Sequence, residues 1–179
     1  MRYLIILAIF ELMIFANSAS ELFKLYQNKE YSRACDIGFN IASQNRDDEK
    51  FLSIYAFSCL NADQIDRLIL PMALLTKSQE SRNNASYFAM LLMQKKLLIQ
   101  ALYDDKKYEN LNFPTSSHLI SKIFDMYLKD SQPNNKTKIY IDKDDKRKSY
   151  KLYKATKNNQ KTIAIDEYYD KIMTYHHIY

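Results

Sequence analysis

From Leu22 to Leu128, apolar side chains recur three and four positions apart, the spacing that lines one face of an α-helix. Leu22, Leu25 and Tyr26 mark a short first helix with Ser20 as its N-cap, closed by the polar turn Gln27-Asn28-Lys29-Glu30. Tyr31, Ala34, Gly38, Ile41 and Ala42 share a face of a second helix. A third opens on Asp47-Asp48-Glu49, acids favoured at a helix N-terminus, and carries Phe51, Leu52, Tyr55, Ala56, Cys59 and Leu60. A fourth starts near Gln64 with Ile65, Leu68 and Leu70. Pro71 lacks a backbone donor and clashes with the preceding turn, so a kink or break is expected there. Over 82–103 the apolar face is too wide for a simple stripe, which predicts a helix central to the fold. After a loop at 108–113, Pro114-Thr115-Ser116 opens another helix, with Ile120, Ile123, Phe124, Tyr127 and Leu128 facing inward.

The period then changes. Residues 131–136 form a polar, proline-containing linker, and beyond it Lys138 to Asp142, Ser149 to Ala155 and Thr162 to Asp166 alternate in the manner of strands. The polar turns between them predict a small antiparallel meander, with one face laid on the helices or the segment partly mobile, because three strands this poor in apolar residues are marginal alone. The aromatic end, Glu167 to Tyr179, reads as a short helix docking back. The fold class expected is therefore mainly α: an antiparallel helical-hairpin array over 20–130, then a basic β appendage with an aromatic tail over 137–179.

The first nineteen residues read differently. Arg2, the apolar run Leu4 to Phe10, then Leu12 to Ala16 and the small polar stretch Asn17 to Ser20 have the layout of a secretory leader, with cleavage expected after Ser18, Ala19 or Ser20. Glu11 interrupts the apolar run, so an uncleaved anchor or a first core helix stays open. The expectation is an exported, periplasmic or secreted chain with no transmembrane span in its mature part. Composition adds one point. A single glycine, Gly38, among 179 residues argues against phosphate-cradling glycine loops and for elements joined by Asn, Asp and Lys turns.

The two cysteines sit on the second and third helices. Folded back about a turn near Arg46-Asp47, these helices bring Cys35 and Cys59 to one level. In an exported chain such a pair is expected as a disulfide; two buried thiols are the alternative.

Short helix, tight turn, short helix is also a repeat pattern, and an offset of 34 residues carries Tyr31 and Ala34 onto Ile65 and Leu68, and Leu22, Leu25 and Tyr26 onto Ala56, Cys59 and Leu60. Tyr26, Tyr31, Ala34 and Ala56 match the arrangement by which the segment from 20 to 78 resembles the tetratricopeptide repeat. The family glycine after Leu22 and the closing prolines are missing. The resemblance implies a stack of helical hairpins and a non-catalytic role, binding a protein partner of the cell envelope.

Charge is concentrated. Between residues 134 and 161 stand ten basic and three acidic side chains, which holds the whole excess of +5. The candidate basic patch is Lys138, Lys146, Arg147, Lys148, Lys151, Lys154, Lys157 and Lys161. Interleaved tyrosines in a cytosolic chain would suggest nucleic acid, but export argues against it. Two readings stay open: attraction to an acidic envelope polymer or membrane surface, and lysines that guard exposed strand edges. No cofactor or metal is expected. Asp142, Asp144 and Asp145 resemble a calcium loop in composition only, since the glycine and closing glutamate are absent. His176 and His177 are adjacent and lack identifiable co-ligands, and His118 sits in the first turn of its helix, a structural position. No nucleophile elbow, phosphate loop or close cysteine pair appears, so no enzyme is expected, although a small hydrolase built on scattered carboxylates stays open.

Overall fold

The structure is a computed structural model that describes residues 18–109, 111–130 and 137–179. Residues 1–17 of the expected leader and the expected linker over 131–136 lie outside the described residues. The chain divides into two compact units, Met1–Ala89 and Met90–Tyr179.

The first unit holds α1 over 18–27, α2 (Tyr31–Ile41), α3 (Glu49–Asn61), a 3-10 turn (Ile65–Leu68), α4 (Ile69–Leu74) and the beginning of α5 (Gln79–Tyr103). Each boundary has a local cause. Lys29 adopts a left-handed φ of 62° between α1 and α2, and the Asp48 side chain accepts the Phe51 amide at 2.9 Å to cap α3. Gly38 lets α2 close on its neighbours: an added Cβ would lie 2.4 Å from Tyr55 Cδ2 and 2.9 Å from Leu22 Cδ1. Cys35 and Cys59 are joined by a disulfide that ties α2 to α3 across a Cα–Cα distance of 4.7 Å. Pro71 does not break a helix as expected. The chain changes from 3-10 to α between Leu68 and Ile69, and Pro71 falls in the first turn of α4, where no intrahelical donor is required.

The second unit holds the rest of α5, α6 (Leu119–Leu128) and a four-stranded antiparallel sheet in the order β1 (Thr137–Ile141), β2 (Lys148–Lys157), β3 (Gln160–Tyr169), β4 (Ile172–Ile178). Asn158-Asn159 joins β2 to β3 and Asp170-Lys171 joins β3 to β4. All four residues have φ between 48° and 68°, the double left-handed turn that matches strand twist. Register puts Tyr150, Leu152, Ile163 and Ile165 on one face, where all four are buried. His118 caps α6, its Nδ1 accepting the Ile120 amide at 3.2 Å. The helix starts at Leu119 rather than at Pro114-Thr115-Ser116, because the Ser116 amide donates to the Ser121 hydroxyl and the chain stays extended into the cap.

A mainly α repeat array is therefore not the architecture. Of the described residues 51% are helical and 21% lie in strands, and the sheet is a principal element of the second unit. The second hairpin of the expected array is a 3-10 turn followed by a six-residue helix, too short to repeat α2. The meander itself is present, with one strand more than expected. The aromatic end forms β4 and not a helix, because the Asp170-Lys171 turn folds Ile172–Ile178 back along β3, where Glu167 faces Tyr175 and Asp166 faces His176.

Candidate interaction surface on the sheet

The basic residues singled out above do not form one patch. Lys138 is 4% exposed, and its ammonium meets Asp130 at 2.8 Å, which removes it from any surface. Lys148, Lys151, Lys154 and Lys157 lie on β2, a strand paired on both sides, so they do not guard a sheet edge. Their alternation sends Lys151 and Lys154 to opposite faces. Lys151 rides over the Tyr153 ring at 5.1 Å; Lys154 and Lys161 both rest on the Tyr103 ring, at 5.0 and 5.2 Å. Lys157 donates to the Ile178 carbonyl at 2.8 Å. Lys146, Arg147 and Lys148 gather at the β1–β2 turn, with Arg147 over the Tyr169 ring at 4.7 Å.

Two polar clusters hold this sheet, of which the sequence singled out only the aspartates of the β1–β2 turn and the two histidines, without their partners. In the first, Lys122 of α6 donates to Asp142 and, at 2.8 Å, to the Tyr150 hydroxyl, which in turn donates to Asp142 at 2.9 Å. The other Asp142 oxygen accepts the Asp144 and Asp145 amides at 2.8 and 3.3 Å. The Lys122 hydrogen bond, opposed by burial and helped by these amides and the Tyr150 hydroxyl, holds the Asp142 carboxyl well below the usual carboxylate range. Burial works against the Lys122 charge, but its bonds to Asp142 and Tyr150 outweigh burial and raise its pKa. The trio of aspartates is thus a capped turn whose central carboxylate is already filled by protein donors. Among the described residues no group of three or more His, Cys, Asp and Glu side chains could hold a metal ion.

The second cluster lies on the opposite face. Buried Asp166 meets His176 Nδ1 at 2.6 Å and accepts the Tyr153 hydroxyl at 3.1 Å, while His177, turned the other way, meets Glu167 at 3.1 Å. Burial and the bond to Asp166 push the Tyr153 pKa up. The two adjacent histidines therefore face two adjacent carboxylates, one pair on each face, and tie β4 to β3. The signal was an alternating Asp-Glu on one strand and His-His on the next, legible only once the register is known.

What this leaves uncovered among the described residues is the two edges of the sheet: β1, which pairs with β2 alone and has Ile139 and Ile141 at 71% and 62% exposed, and β4. β4 pairs with β3 alone, and Ile172, Met173 and Tyr175 are 71%, 55% and 66% exposed. The strand Ile172–Ile178 contains no lysine and no proline, the residues that commonly blunt an edge. At the turn end of the same edge, the Asp170 amide donates to the Arg147 carbonyl at 2.9 Å. This brings Lys146, Arg147, Lys148 and Lys171 to the end of the sheet that also carries exposed Ile141, Ile172 and Met173.

Compared with known proteins, the chain matches no family model, no curated protein and no solved structure. Among the described residues no helix is long and apolar enough to cross a membrane.

Proposed function

We propose that this is an exported, non-catalytic interaction module that binds an acidic, extended segment of a partner protein along the free edge of β4. The observation that carries the reading is the exposure of Ile172, Met173 and Tyr175 on an edge strand without lysine or proline. An extended partner adds main-chain hydrogen bonds to such an edge and places alternate side chains on its apolar ones. Charge adds only a modest bias toward an acidic partner: Lys146, Lys148 and Lys171 stand exposed at this end, while Arg147 is paired with Asp145 at 3.2 Å and Asp144 and Asp170 lie in the same turns. Export is supported by the leader-like first nineteen residues and by the Cys35–Cys59 disulfide, a bond that persists in oxidising compartments.

The test titrates the full chain with a labelled peptide of alternating valine and glutamate. Saturable binding that weakens with salt and falls at least about tenfold, roughly 1.4 kcal/mol, in the double variant Ile172→Glu/Met173→Glu is expected. Affinity unchanged by those substitutions overturns the reading. Binding to phosphatidylglycerol vesicles in the absence of peptide binding replaces it with attachment to an acidic surface. The intact mass of protein from its host, short of the first nineteen residues or not, tests export separately.

A further inference from the structure

The two sulfurs of the disulfide have unlike neighbours. Arg67, in the 3-10 turn, donates from Nη1 to the Cys35 Sγ at 3.4 Å and to the Asp36 carboxylate at 2.6 Å, and its guanidinium lies over the Phe39 ring at 4.5 Å. The Cys59 Sγ instead stands 4.0 Å from the Cys35 carbonyl oxygen. A cation beside a sulfur favours its thiolate, whereas a carbonyl oxygen accepts from an S–H and repels a thiolate. Both cysteines are wholly buried, which disfavours the charged form of each and leaves little water to even out the difference. The guanidinium offsets that cost at Cys35 alone. Asp36 shares the guanidinium, but its side chain is 55% exposed and screened by water in a way that the buried sulfur is not. The remaining charges on these elements are placed elsewhere: Glu30 and Arg33 of α2 pair with each other, and Glu49 and Lys50 stand in the first turn of α3, at the opposite end from Cys59. Asp66 precedes Arg67 in its turn, and the Tyr55 hydroxyl donates to the Arg67 carbonyl at 3.2 Å.

We infer that the Cys35–Cys59 bond is a redox switch opened by a dithiol reductant, whose reduced form in the folded chain holds Cys35 as a thiolate against Arg67 and Cys59 as a thiol on the Cys35 carbonyl. One thiolate of the reductant bonds to Cys59 Sγ, the Sγ–Sγ bond breaks, and its electron pair leaves on Cys35. The second thiolate of the reductant then displaces Cys59, which takes up a proton, and the reductant departs as a disulfide. The protein thus gains two electrons and a single proton, so rising pH favours the opened form. Arg67 is the positioning residue. The switch lies in the first unit and draws nothing from the β4 edge, so either assignment can fail without the other.

The test equilibrates the full folded chain with reduced and oxidised dithiothreitol between about pH 6 and about pH 7.5, a range in which ordinary thiols, with pKa about 8.5, keep their protons. The opened fraction is counted by acid quenching and alkylation. Its equilibrium constant should rise with pH, approaching about tenfold per unit, because one proton is released per bond opened. In Arg67→Gln the constant should become flat with pH. Asp36→Asn, a change at an exposed carboxylate that leaves the guanidinium in place, should raise the opened fraction at every pH in the range, an effect opposite in sign to that of Arg67→Gln. A constant independent of pH in the unsubstituted chain, a slope that survives Arg67→Gln, an Asp36→Asn chain that opens no more readily, or a folded chain that dithiothreitol does not open overturns the inference.

Discussion

Tyr55 and Gly38 make one contact in which size alone decides the outcome. Alanine has the better helix propensity, a gain of about 0.5–1 kcal/mol over glycine. At position 38, however, the added methyl meets the Tyr55 ring at 2.4 and 2.8 Å, and Tyr55 is itself fixed, its hydroxyl donating to the Arg67 carbonyl at 3.2 Å. Overpacking of this kind costs about 1–3 kcal/mol. Gly38→Ala should therefore lower stability by about 1 kcal/mol or more in urea denaturation, and a neutral or stabilising result would show that the ring can move aside. Lys122 is the second such residue. Lys122→Met keeps the stem and removes the charge, leaving buried Asp142 with Tyr150 and two amides as its donors. A loss of about 2 kcal/mol is expected in the same assay. Gly38 was legible in the sequence as a small residue on a helix face. The Lys122–Asp142–Tyr150 cluster was not, because 20 and 28 positions separate the lysine from its partners and only the fold brings them together.

Among the elements, α5 depends on a residue outside itself. Ahead of its first turn the amides of Thr76, Lys77 and Ser78 all point at the Glu49 carboxylate of α3, at 2.9, 2.6 and 3.0 Å. Desolvation opposes the charge, yet the Lys77 amide, the Ser81 hydroxyl and the other two amides outweigh it and hold the Glu49 pKa at about 2, against an ordinary 4.5. A carboxylate whose pKa is lowered by folding stabilises the fold above its unfolded value. That contribution is lost as pH falls from about 4.5 toward about 2. Glu49→Gln should accordingly be less stable at neutral pH and show a shallower fall in melting temperature across that window; parallel curves for the two proteins would assign the acid sensitivity to other groups. Helix periodicity announced α5 correctly at its C-terminal end and three residues late at its start, since the apolar pattern over 82–103 became Gln79–Tyr103. It misjudged β4. Ile172, Met173, Tyr175 and Ile178 are compatible with a helical stripe as well as with a strand, and the Asp170-Lys171 turn that decides the matter contains no glycine to advertise it.

For the whole molecule, the disulfide is the strongest single constraint on the first unit. Cys35 and Cys59 are both fully buried and 24 positions apart, and closing a loop of that length stabilises the folded state by about 3.5 kcal/mol on the chain-entropy estimate. Reduction under native conditions, or the paired change Cys35→Ala/Cys59→Ala, should lower the denaturation midpoint by an equivalent amount with the helical circular dichroism retained; an unchanged midpoint would mean that helix packing alone holds α2 against α3. Charge, in contrast, was legible only as a total. The excess of lysines between 134 and 161 was plain, but its distribution over two faces, a buried ion pair and a turn depends on strand register, which alternation alone does not specify.

The meander has a consequence in time. Each strand lies beside its neighbour in the chain, and two of the connections are two residues long, so little loop entropy stands between the unfolded segment and its pairing. Hairpins of this kind close in about 1–10 μs, whereas thiol oxidation takes seconds to hours. A chain refolding from the reduced, denatured state thus runs on two clocks, with the sheet paired and its β4 edge already exposed long before the cystine forms, while the helices before it still wait for their staple.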